Sequence, residues 1–414
     1  MTFDYRARQH GRAIYLVAGQ EGLHALPRKP ASAIRGGELP AGLASPADLD
    51  FLDPANPFFV TDRALFSFGQ FLGRKTPPGI FDKRPGITIL GDSGGFQLID
   101  KPALWNGEAT CAEALAWLEK HADEAMTLDI PTGAIGCNPL FPDFASCLTT
   151  TMTNNAYFHA NAAGQTRFLT VVQGRNRKEV LAWYDAVKTQ PFDGGWALGG
   201  GTRSDYVLLT ELLHAMIQDG LLGCRNRLHV LGTSTLTQSV MLSALQRSVR
   251  ALPGQAEFQI TFDTANPSLK MVFGQLVGHP LITPDASGRP GEFRDRTFKT
   301  PTHSDFSPDD RRALPIKCSR IAERLTIGDL CARPGIGKNS PWDDLARALV
   351  THHNVDATLR AIDEANSIME LPTHLAVQVA PVHVVRSYQA LLTAFRHSNP
   401  VAHVRREANS FAKL

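Results

Sequence analysis

From residue 87 onward, short apolar runs alternate with stretches of helical periodicity, and this alternation constrains the fold more than any other feature. Six consecutive runs each end at a polar residue or a glycine: 87–90, 125–128, 168–172, 195–198, 228–231 and 258–262. Helical stretches such as 110–122 and 177–187 lie between them. Nearly continuous apolar runs are typical of parallel strands, which helices cover on both faces. The pattern therefore predicts an α/β protein with a parallel sheet.

The distinctive residue stands at the carboxyl end of each run, which favours one closed sheet over an open one. A TIM (β/α)8 barrel places the carboxyl ends of all strands around one rim, where its active site lies. Two earlier runs, 13–18 and 58–60, bring the strand count to eight. A doubly wound open sheet is the alternative, but it would show a glycine-rich phosphate turn after its first strand. We therefore predict the barrel.

The chain divides into three parts. Residues 1–86 form an N-terminal segment that contributes the first barrel strands, and residues 87–275 form the core of the catalytic barrel. Residues 276–414 hold an insertion after the last strand, helices, and a subdomain with candidate metal ligands. Within this part, residues 281–312 are rich in Pro, Gly, Asp and Arg and predict a long loop or inserted excursion. Helices are predicted at 343–352, 355–369 and 381–394.

Composition narrows the class of protein. With 43% hydrophobic and 20% charged residues among 414, the chain is typical of a soluble globular protein. Residues 1–8 lack the apolar core of a secretory signal and no apolar run could span a bilayer, which predicts a cytoplasmic protein without a membrane partner. The net charge of +2 leaves nucleic-acid binding open.

The predicted rim carries three carboxylates, Asp92, Asp129 and Asp263, together with the amide of Gln173. Two carboxylates that face each other across a sugar can cleave a glycosidic bond, one as nucleophile and one as proton carrier. A third carboxylate can accept hydrogen bonds from a pair of ligand N–H groups, such as the edge of a guanine-like base. Phe96 and Leu231 are placed to cover the faces of a flat ring.

Six short segments together carry a family resemblance. They are Asp92–Gln97, Leu128–Asp129, Val172–Gly174, Ala197–Gly200, Leu231–Gly232 and Phe262–Asp263. In order and spacing they resemble the tRNA-guanine transglycosylase superfamily over roughly residues 87–270. Members of that superfamily are barrel enzymes that exchange guanine for a 7-deazaguanine at C1′ of a nucleoside, without an organic cofactor.

The resemblance implies a role for each matching residue. Asp263 would be the nucleophile and Asp92 the general acid and base. Ser93, Asp129, Gln173 and the backbone of Gly199 and Gly200 resemble the set that binds the base, and Phe96 and Leu231 resemble the residues that enclose its ring.

The segment after Asp263 departs from the tRNA enzymes. It runs from 266 to 273 and lacks the arginines with which that family reads the anticodon loop. The chain is therefore most similar to the DpdA branch, the DNA-guanine transglycosylases, which insert 7-cyano-7-deazaguanine (preQ0) into DNA. A duplex hides C1′, so such an enzyme flips its target or acts on a melted strand. Accessory proteins of a DNA-modification system are further expected partners.

Basic residues in the predicted insertion are candidates for a DNA phosphate track, although arginine-rich loops are also commonly just solvated. They are Arg289, Arg294, Arg296 and Lys299. Two alternatives to the DNA enzyme stay open, a divergent tRNA-guanine transglycosylase and a non-catalytic partner subunit of a transglycosylase.

The superfamily's zinc pattern is broken in this chain. Residues 349–354 resemble the segment with the family's histidine ligand, which would be His353. Cys318, Cys331 and His303 could complete a tetrahedral Zn²⁺ site with it. Free, neutral thiols in a helical subdomain are the other interpretation, because the six cysteines are scattered without paired spacing.

Overall fold

The computed structural model describes residues 3–19, 23, 26–30, 39–40, 42–74, 83–233, 235–284, 287–299, 307, 309–314, 316–331 and 343–414. At residues 280–284, 291, 292, 294–296 and 299 this covers the backbone alone.

Eight parallel strands close into a barrel, which confirms the predicted TIM (β/α)8 fold. In chain order they are β1 (Ile14–Ala18), β2 (Arg63–Ser67), β3 (Thr88–Asp92), β4 (Glu124–Met126), β5 (Arg167–Val172), β6 (Gly195–Leu198), β7 (Arg227–Val230) and β8 (Gln259–Thr264). Each strand pairs with its neighbour in sequence, and β8 closes the barrel against β1 with Asp263 opposite Leu16. The sequential order places all eight carboxyl ends on one face.

The second barrel strand is not the predicted run 58–60. Phe59–Val60 pairs instead with Phe3–Asp4 in a separate two-stranded parallel sheet. Phe59 is fully buried against the ring of Phe51 and the imidazole of His352, so its apolar character serves packing outside the barrel. Arg63–Ser67, a few residues later, pairs with β1 and β3.

Five helices alternate with the strands from β3 onward: α1 (Glu108–His121), α2 (Phe144–Asn161), α3 (Arg177–Val187), α4 (Tyr206–Gln218) and α5 (Leu236–Arg250). The predicted helices 110–122 and 177–187 correspond to α1 and α3. Polar residues cap several N-termini: Asn176 on α3, Asp205 on α4 and Thr235 on α5 each accept a bond from a first-turn N–H. These caps define where each loop from the barrel mouth ends.

Shorter elements fill the connections. Tyr5–Arg8 is a single helical turn, and 3₁₀ turns lie at Leu26–Arg28, Pro46–Leu49, Phe68–Gln70, Gly95–Leu98, Pro102–Leu104, Thr132–Ala134, Gly328–Leu330 and Ala394–Arg396. Among the described residues, none of the helices combines the length and the apolar character needed to cross a membrane.

Beyond β8 the chain forms α6 (Asn266–Val272) and then an antiparallel hairpin of β9 (Gln275–Pro284) and β10 (Pro290–Lys299). The predicted long loop is therefore wrong for residues 281–284 and 287–299, which belong to this hairpin, and the alternative prediction of an inserted excursion agrees with it. Gly288, one of the glycines that suggested a loop, lies between the two strands of the hairpin and adopts a positive φ of 78°.

The C-terminal region is helical, as predicted. It consists of α7 (Asp344–Met369), α8 (Thr373–Val379), α9 (Val382–Thr393), α10 (Pro400–Arg405) and α11 (Ala408–Phe411). The predicted break between 352 and 355 is absent, and α7 runs on without interruption. Asn354 lies within it and uses its side chain to bind the backbone of β9, accepting from Val277 N–H at 2.8 Å.

The barrel interior explains which residues reach the mouth. One apolar cluster fills it: Leu16, Ala18, Leu65, Leu90, Met126, Leu169, Val171 and Ala197, with Ile14 and Leu231 packed against them. Because successive strand residues point to opposite faces, residues two positions beyond an interior residue share its direction. Asp92 follows Leu90, Gln173 follows Val171, and Gly199 follows Ala197 by two positions. These three are therefore aimed into the mouth above the packed core.

Candidate active site at the barrel mouth

A cavity of about 640 Å³ opens at the carboxyl ends of the strands. All eight strands or the residues directly after them contribute to its wall: Ala18, Ser67, Asp92, Asp129, Gln173, Gly199, Leu231 and Asp263. Eight of the nine predicted catalytic and substrate-binding residues line this cavity, and Ser93 is the exception. Phe96 and Gly200 also line the cavity.

Asp263 presents one carboxylate oxygen to the protein. Its Oδ1 accepts a hydrogen bond from Gly232 N–H at 2.9 Å and lies 3.3 Å from His229 Nε2. Oδ2 has no hydrogen-bond partner in the part of the chain that the structure describes. The carboxylate is thus held by one oxygen, which leaves the other for a ligand.

His229 is a site residue that the sequence analysis missed. It is fully buried on β7, with Nδ1 2.9 Å from Thr261 Oγ1 and Nε2 toward Asp263. A neutral imidazole carries one N–H, so donation by Nε2 to the carboxylate leaves Nδ1 to accept from the Thr261 hydroxyl. The histidine stood inside a predicted apolar strand, and a polar residue at an interior barrel position was the signal that could have found it.

Asp92 lies at the end of β3 in an environment that favours its protonated form. Burial raises the pKa of its carboxyl, and the nearby charge of Asp263 raises it further. Hydrogen bonds from the Ser67 hydroxyl and from the Gly94 N–H lower the pKa, because they stabilise the ionised carboxylate. The Gly94 nitrogen lies 3.2 Å from Asp92 Oδ1. Asp92 and Asp263 line the same cavity.

Asp129 and Gln173 form a hydrogen-bonded pair in the cavity wall, and both side chains are buried. Gln173 Nε2 donates to Asp129 Oδ2 at 2.8 Å. Burial raises the pKa of Asp129 to about 7, with Gln173 lowering it and the charge of Asp92 raising it. Gln173 Oε1 is buried and makes no hydrogen bond within the described residues. An acceptor pair of this kind, one oxygen unsatisfied, is suited to a ligand that carries N–H donors.

Ser93 does not join the cavity wall. It is 1% exposed, and its hydroxyl donates to the Thr127 carbonyl at 3.1 Å, which ties β3 to β4. Phe96, by contrast, is 73% exposed at the rim, where an aromatic face is available to a ligand. Leu231 lies deeper, against the apolar interior of the barrel.

Two predicted metal ligands lie together. Cys318 Sγ donates to the Val277 carbonyl at 3.1 Å, and His353 Nε2 lies 2.9 Å from the same oxygen. His353 Nδ1 is 2.6 Å from Ser319 Oγ, so both ring nitrogens have protein partners. Burial raises the pKa of Cys318 to about 11, which favours a neutral thiol.

Cys331 binds elsewhere, to the Ile327 carbonyl at 3.3 Å, and His303 falls outside the described residues. Among the described residues no group of three or more His, Cys, Asp or Glu side chains could hold a metal ion. The contacts of Cys318 and Cys331 therefore fit the interpretation as free, neutral thiols. A zinc site that involves His303 stays a prediction.

The four basic residues predicted for a phosphate track all fall on the hairpin. Arg289 is exposed in the turn, and Arg294, Arg296 and Lys299 lie on β10. The side chains of the last three fall outside the described part of the chain, so a track remains a prediction.

A second cavity of about 660 Å³ lies on the outer face, between α3, α4 and α10. No strand end contributes to it. Its cations Arg177 and Lys188 are paired with Glu211 and Asp219. The barrel mouth, with its three carboxylates, is therefore the stronger candidate for chemistry.

The fold and the mouth define a (β/α)8-barrel protein with an acidic cavity at the carboxyl face of its sheet, the place where barrel enzymes carry their active sites. No protein-family model matches the chain, and a search of curated proteins finds no significant match.

Proposed function

We propose that the chain is a pentosyltransferase that exchanges guanine in DNA for a 7-deazaguanine, such as 7-cyano-7-deazaguanine, through a covalent aspartyl-glycosyl intermediate. The observation that carries the proposal is the pairing of Asp92 with Asp263 in one cavity, next to the hydrogen-bonded Asp129 and Gln173. Two interacting carboxylates supply the nucleophile and the proton carrier, and the second pair supplies a surface for the base.

Asp263 is the proposed nucleophile. Its Oδ2 attacks C1′ of the target nucleotide, the C1′–N9 bond breaks, and the bonding electrons leave with the base. Gly232 N–H and His229 hold Oδ1 throughout, so the carboxylate enters the reaction with a fixed orientation. The product of this step is an ester between Asp263 and C1′.

Asp92 is the proposed proton carrier. Its raised pKa favours a protonated carboxyl that can deliver its proton to the departing guanine. The resulting carboxylate then accepts the N9 proton of the incoming deazaguanine, which attacks C1′ and releases Asp263. Because C1′ is inverted twice, its configuration is retained.

Asp129 and Gln173 are the proposed base-binding pair. Guanine presents N1–H and N2–H on one edge, and these donors match the Asp129 carboxyl and the unsatisfied Gln173 Oε1. Phe96 at the rim supplies an aromatic face for the ring. 7-Deazaguanines share this edge with guanine, so one pocket can serve both the leaving and the incoming base.

The proposal of DNA as acceptor rests on the segment after the nucleophile and on the resemblance given above. α6 begins three residues after Asp263 and holds a single basic residue, Lys270. Its Val272 and the following Phe273 are 68% and 73% exposed. An apolar surface of this kind suits an unstacked base or strand better than it suits the phosphates of a folded anticodon loop.

The decisive experiment is base exchange with radiolabelled guanine and with 7-cyano-7-deazaguanine, offered to single-stranded DNA, duplex DNA and tRNA in parallel. We expect incorporation into DNA and none into tRNA. Asp263→Asn should abolish exchange, and Asp92→Asn should reduce it strongly while leaving the fold intact by circular dichroism.

A denaturation-resistant adduct between protein and oligonucleotide should form with wild type and be absent with Asp263→Asn. Exchange into tRNA alone would replace DNA by tRNA as the substrate. Full activity of Asp263→Asn would refute the mechanism, and inactivity of wild type on all three acceptors would favour a non-catalytic subunit.

A further inference from the structure

Arg203 is a cation in the acidic cavity that the proposed chemistry does not use. It lies on the loop 199–205 between β6 and α4, and it lines the same cavity as Asp263. Its Nη1 donates to the Gly200 carbonyl at 2.9 Å. Its Nε is buried and makes no hydrogen bond to any described residue, and no described carboxylate lies within ion-pair distance. A buried N–H without an acceptor is destabilising, so this group gains from a ligand that supplies one.

The loop holds this guanidinium in a fixed place. Thr202 Oγ1 donates to the Gly174 carbonyl at 3.5 Å, and Asp205 N–H donates to the Thr202 carbonyl at 2.9 Å. Gln238 on α5 donates to Ser204 Oγ at 2.7 Å. Contacts on both sides of Arg203 therefore fix the backbone from which the side chain extends.

The fixed position is next to the proposed nucleophile. A Cβ added to Gly232 would lie 3.9 Å from Arg203 Nε and 4.0 Å from its Cζ. The N–H of Gly232 is the group that binds Asp263 Oδ1 at 2.9 Å. A ribose whose C1′ is in reach of Asp263 would thus carry its flanking phosphate groups into the neighbourhood of Arg203.

The other charged residues that line the cavity indicate what a cation at this position can do. Asp263, and Asp92 and Asp129 whenever they are ionised, would repel a phosphate, so a nucleic-acid ligand needs a compensating cation close to the sugar. The other cavity-lining arginine, Arg175, is held by Glu179, with Nε 3.0 Å and 3.1 Å from its two oxygens. Arg203 alone of these two offers an uncompensated guanidinium, with Nε–H and Nη2–H along one edge.

We propose that Arg203 binds the phosphodiester group adjacent to the reacting nucleotide, and that it selects polynucleotides over free nucleosides. The edge formed by Nε–H and Nη2–H matches two phosphate oxygens, as in other bidentate arginine–phosphate contacts. The inference rests on the proposed function, which requires a nucleotide at Asp263, and it adds a site that reads the backbone rather than the base.

The test measures binding of a fluorescent single-stranded DNA oligonucleotide with one guanine, by anisotropy over a range of salt concentrations. Arg203→Gln should weaken binding about tenfold and lower the slope of log K against log salt by about 0.7. Arg203→Lys should restore most of the slope but not the full affinity, because an ammonium cannot make the two parallel bonds. Arg175→Gln, an equal change of charge on the same wall, should leave the slope unchanged.

A second pair of probes locates the contact. A neutral methylphosphonate replaces one linkage, either 5′ or 3′ of the guanine, in otherwise identical oligonucleotides. At one of the two positions, we expect about a tenfold loss of affinity for wild type and no further loss for Arg203→Gln, because the two changes remove the same contact. An RNA oligonucleotide of the same sequence shows whether the contact distinguishes the two sugars.

The outcomes separate this inference from the proposed function. Wild type that exchanges bases while Arg203→Gln binds as well as Arg175→Gln would overturn the inference alone. Equal methylphosphonate losses in wild type and Arg203→Gln at both positions would do the same. Wild type that binds neither the DNA nor the RNA probe would overturn both. Thermal unfolding of each variant identifies any that fails to fold, in which case Arg203→Lys and the methylphosphonate probes on wild type carry the test.

Discussion

Asp129 is a buried carboxyl group that forms no ion pair with any described residue. The pKa of this group is raised to about 7, chiefly by burial, although Gln173 donates a hydrogen bond to it. In the unfolded chain the pKa returns to about 3.9. The folded protein therefore binds more protons than the unfolded chain between about pH 4 and pH 7, and the contribution of Asp129 to stability falls as the pH rises through this range.

Asp129→Asn removes this titration while keeping the shape of the side chain and an oxygen for Gln173. We expect wild type and variant to be similar in stability near pH 4. Above pH 7 the variant should be more stable by about 2–4 kcal/mol, since each pKa unit corresponds to about 1.36 kcal/mol. Thermal unfolding at pH 4, 6 and 8 measures the difference.

An exposed aspartate provides the control for this prediction. Asp143 caps α2, and the bond from Ser146 N–H lowers the pKa of its carboxyl. Asp143→Asn should therefore not reproduce the gain at high pH. A stability difference for Asp129→Asn that stays constant from pH 4 to pH 8 would contradict the buried, proton-binding carboxyl.

At the residue scale, the sequence could predict groups that end a strand but not groups that lie within one. Asp92, Gln173 and Asp263 each interrupt an apolar run, so their position at the rim follows from the pattern. His229 lies inside a strand, and its contact with Asp263 depends on the register between β7 and β8, which sequence spacing does not contain. Ser93 follows Asp92 directly, and the alternation of side chains turns it away from the cavity toward the Thr127 carbonyl.

Among the elements, the loop after β6 lies so close to the Gln173 side chain at the end of β5 that a side chain at position 199 would displace it. A Cβ on Gly199 would lie 2.4 Å from Gln173 Nε2 and 3.0 Å from its Cδ. The same Nε2 donates to Asp129, so the contact fixes one partner of the base-binding pair. The glycine sequence that resembled a base-binding backbone thus has a packing reason in the structure.

Gly199→Ala should displace the Gln173 amide and weaken its bond to Asp129. We expect the apparent KM for the incoming base to rise at least tenfold, with a loss of stability of about 1–3 kcal/mol, typical of overpacking in a tight site. Base-exchange kinetics and chemical denaturation measure the two effects. Gly223→Ala is the matched control, because its Cβ would meet nothing within 4 Å and the residue lies on the loop between α4 and β7. Unchanged KM in Gly199→Ala would refute the coupling.

The elements differ in how far the sequence determines them. Barrel strands from β3 to β8 were found because buried parallel strands are continuous apolar runs bounded by polar residues. β2 was missed because two short apolar runs, 58–60 and 63–67, lie next to each other, and only tertiary packing decides which one enters the barrel. The hairpin of β9 and β10 was missed because its strands carry prolines and charges, which weaken the strand pattern.

On the scale of the whole molecule, the first residues of the described chain are bound to the C-terminal helices. Tyr5 donates to Asp356 Oδ1 on α7 at 2.7 Å, and Arg360 Nε donates to the same oxygen at 3.1 Å. Asp356 is fully buried, and Arg320 N–H binds its second oxygen at 3.1 Å. Nearby, Arg12 pairs with Asp363 and Glu370 at 2.7 Å each.

These bonds make α7 part of the support for β1, since Arg12 lies two residues before that strand. We therefore expect the barrel and the C-terminal helices to unfold in one transition rather than as separate units. A buried carboxylate is stable only while its partners remain, so loss of one partner should lower the free energy of unfolding of the whole protein.

Tyr5→Phe tests this connection, because it removes one hydroxyl and leaves the ring. We expect a loss of about 1–3 kcal/mol, the penalty for withdrawing a donor from a buried charged acceptor. Tyr206→Phe is the matched control: its hydroxyl is buried and lacks a hydrogen bond within the described chain, so its removal should be neutral or stabilising. Denaturant unfolding followed by both fluorescence and circular dichroism should show coincident transitions, with only Tyr5→Phe shifted to lower denaturant. Equal shifts for the two variants, or separate transitions for the two probes, would show that Asp356 does not join the chain ends into one cooperative unit.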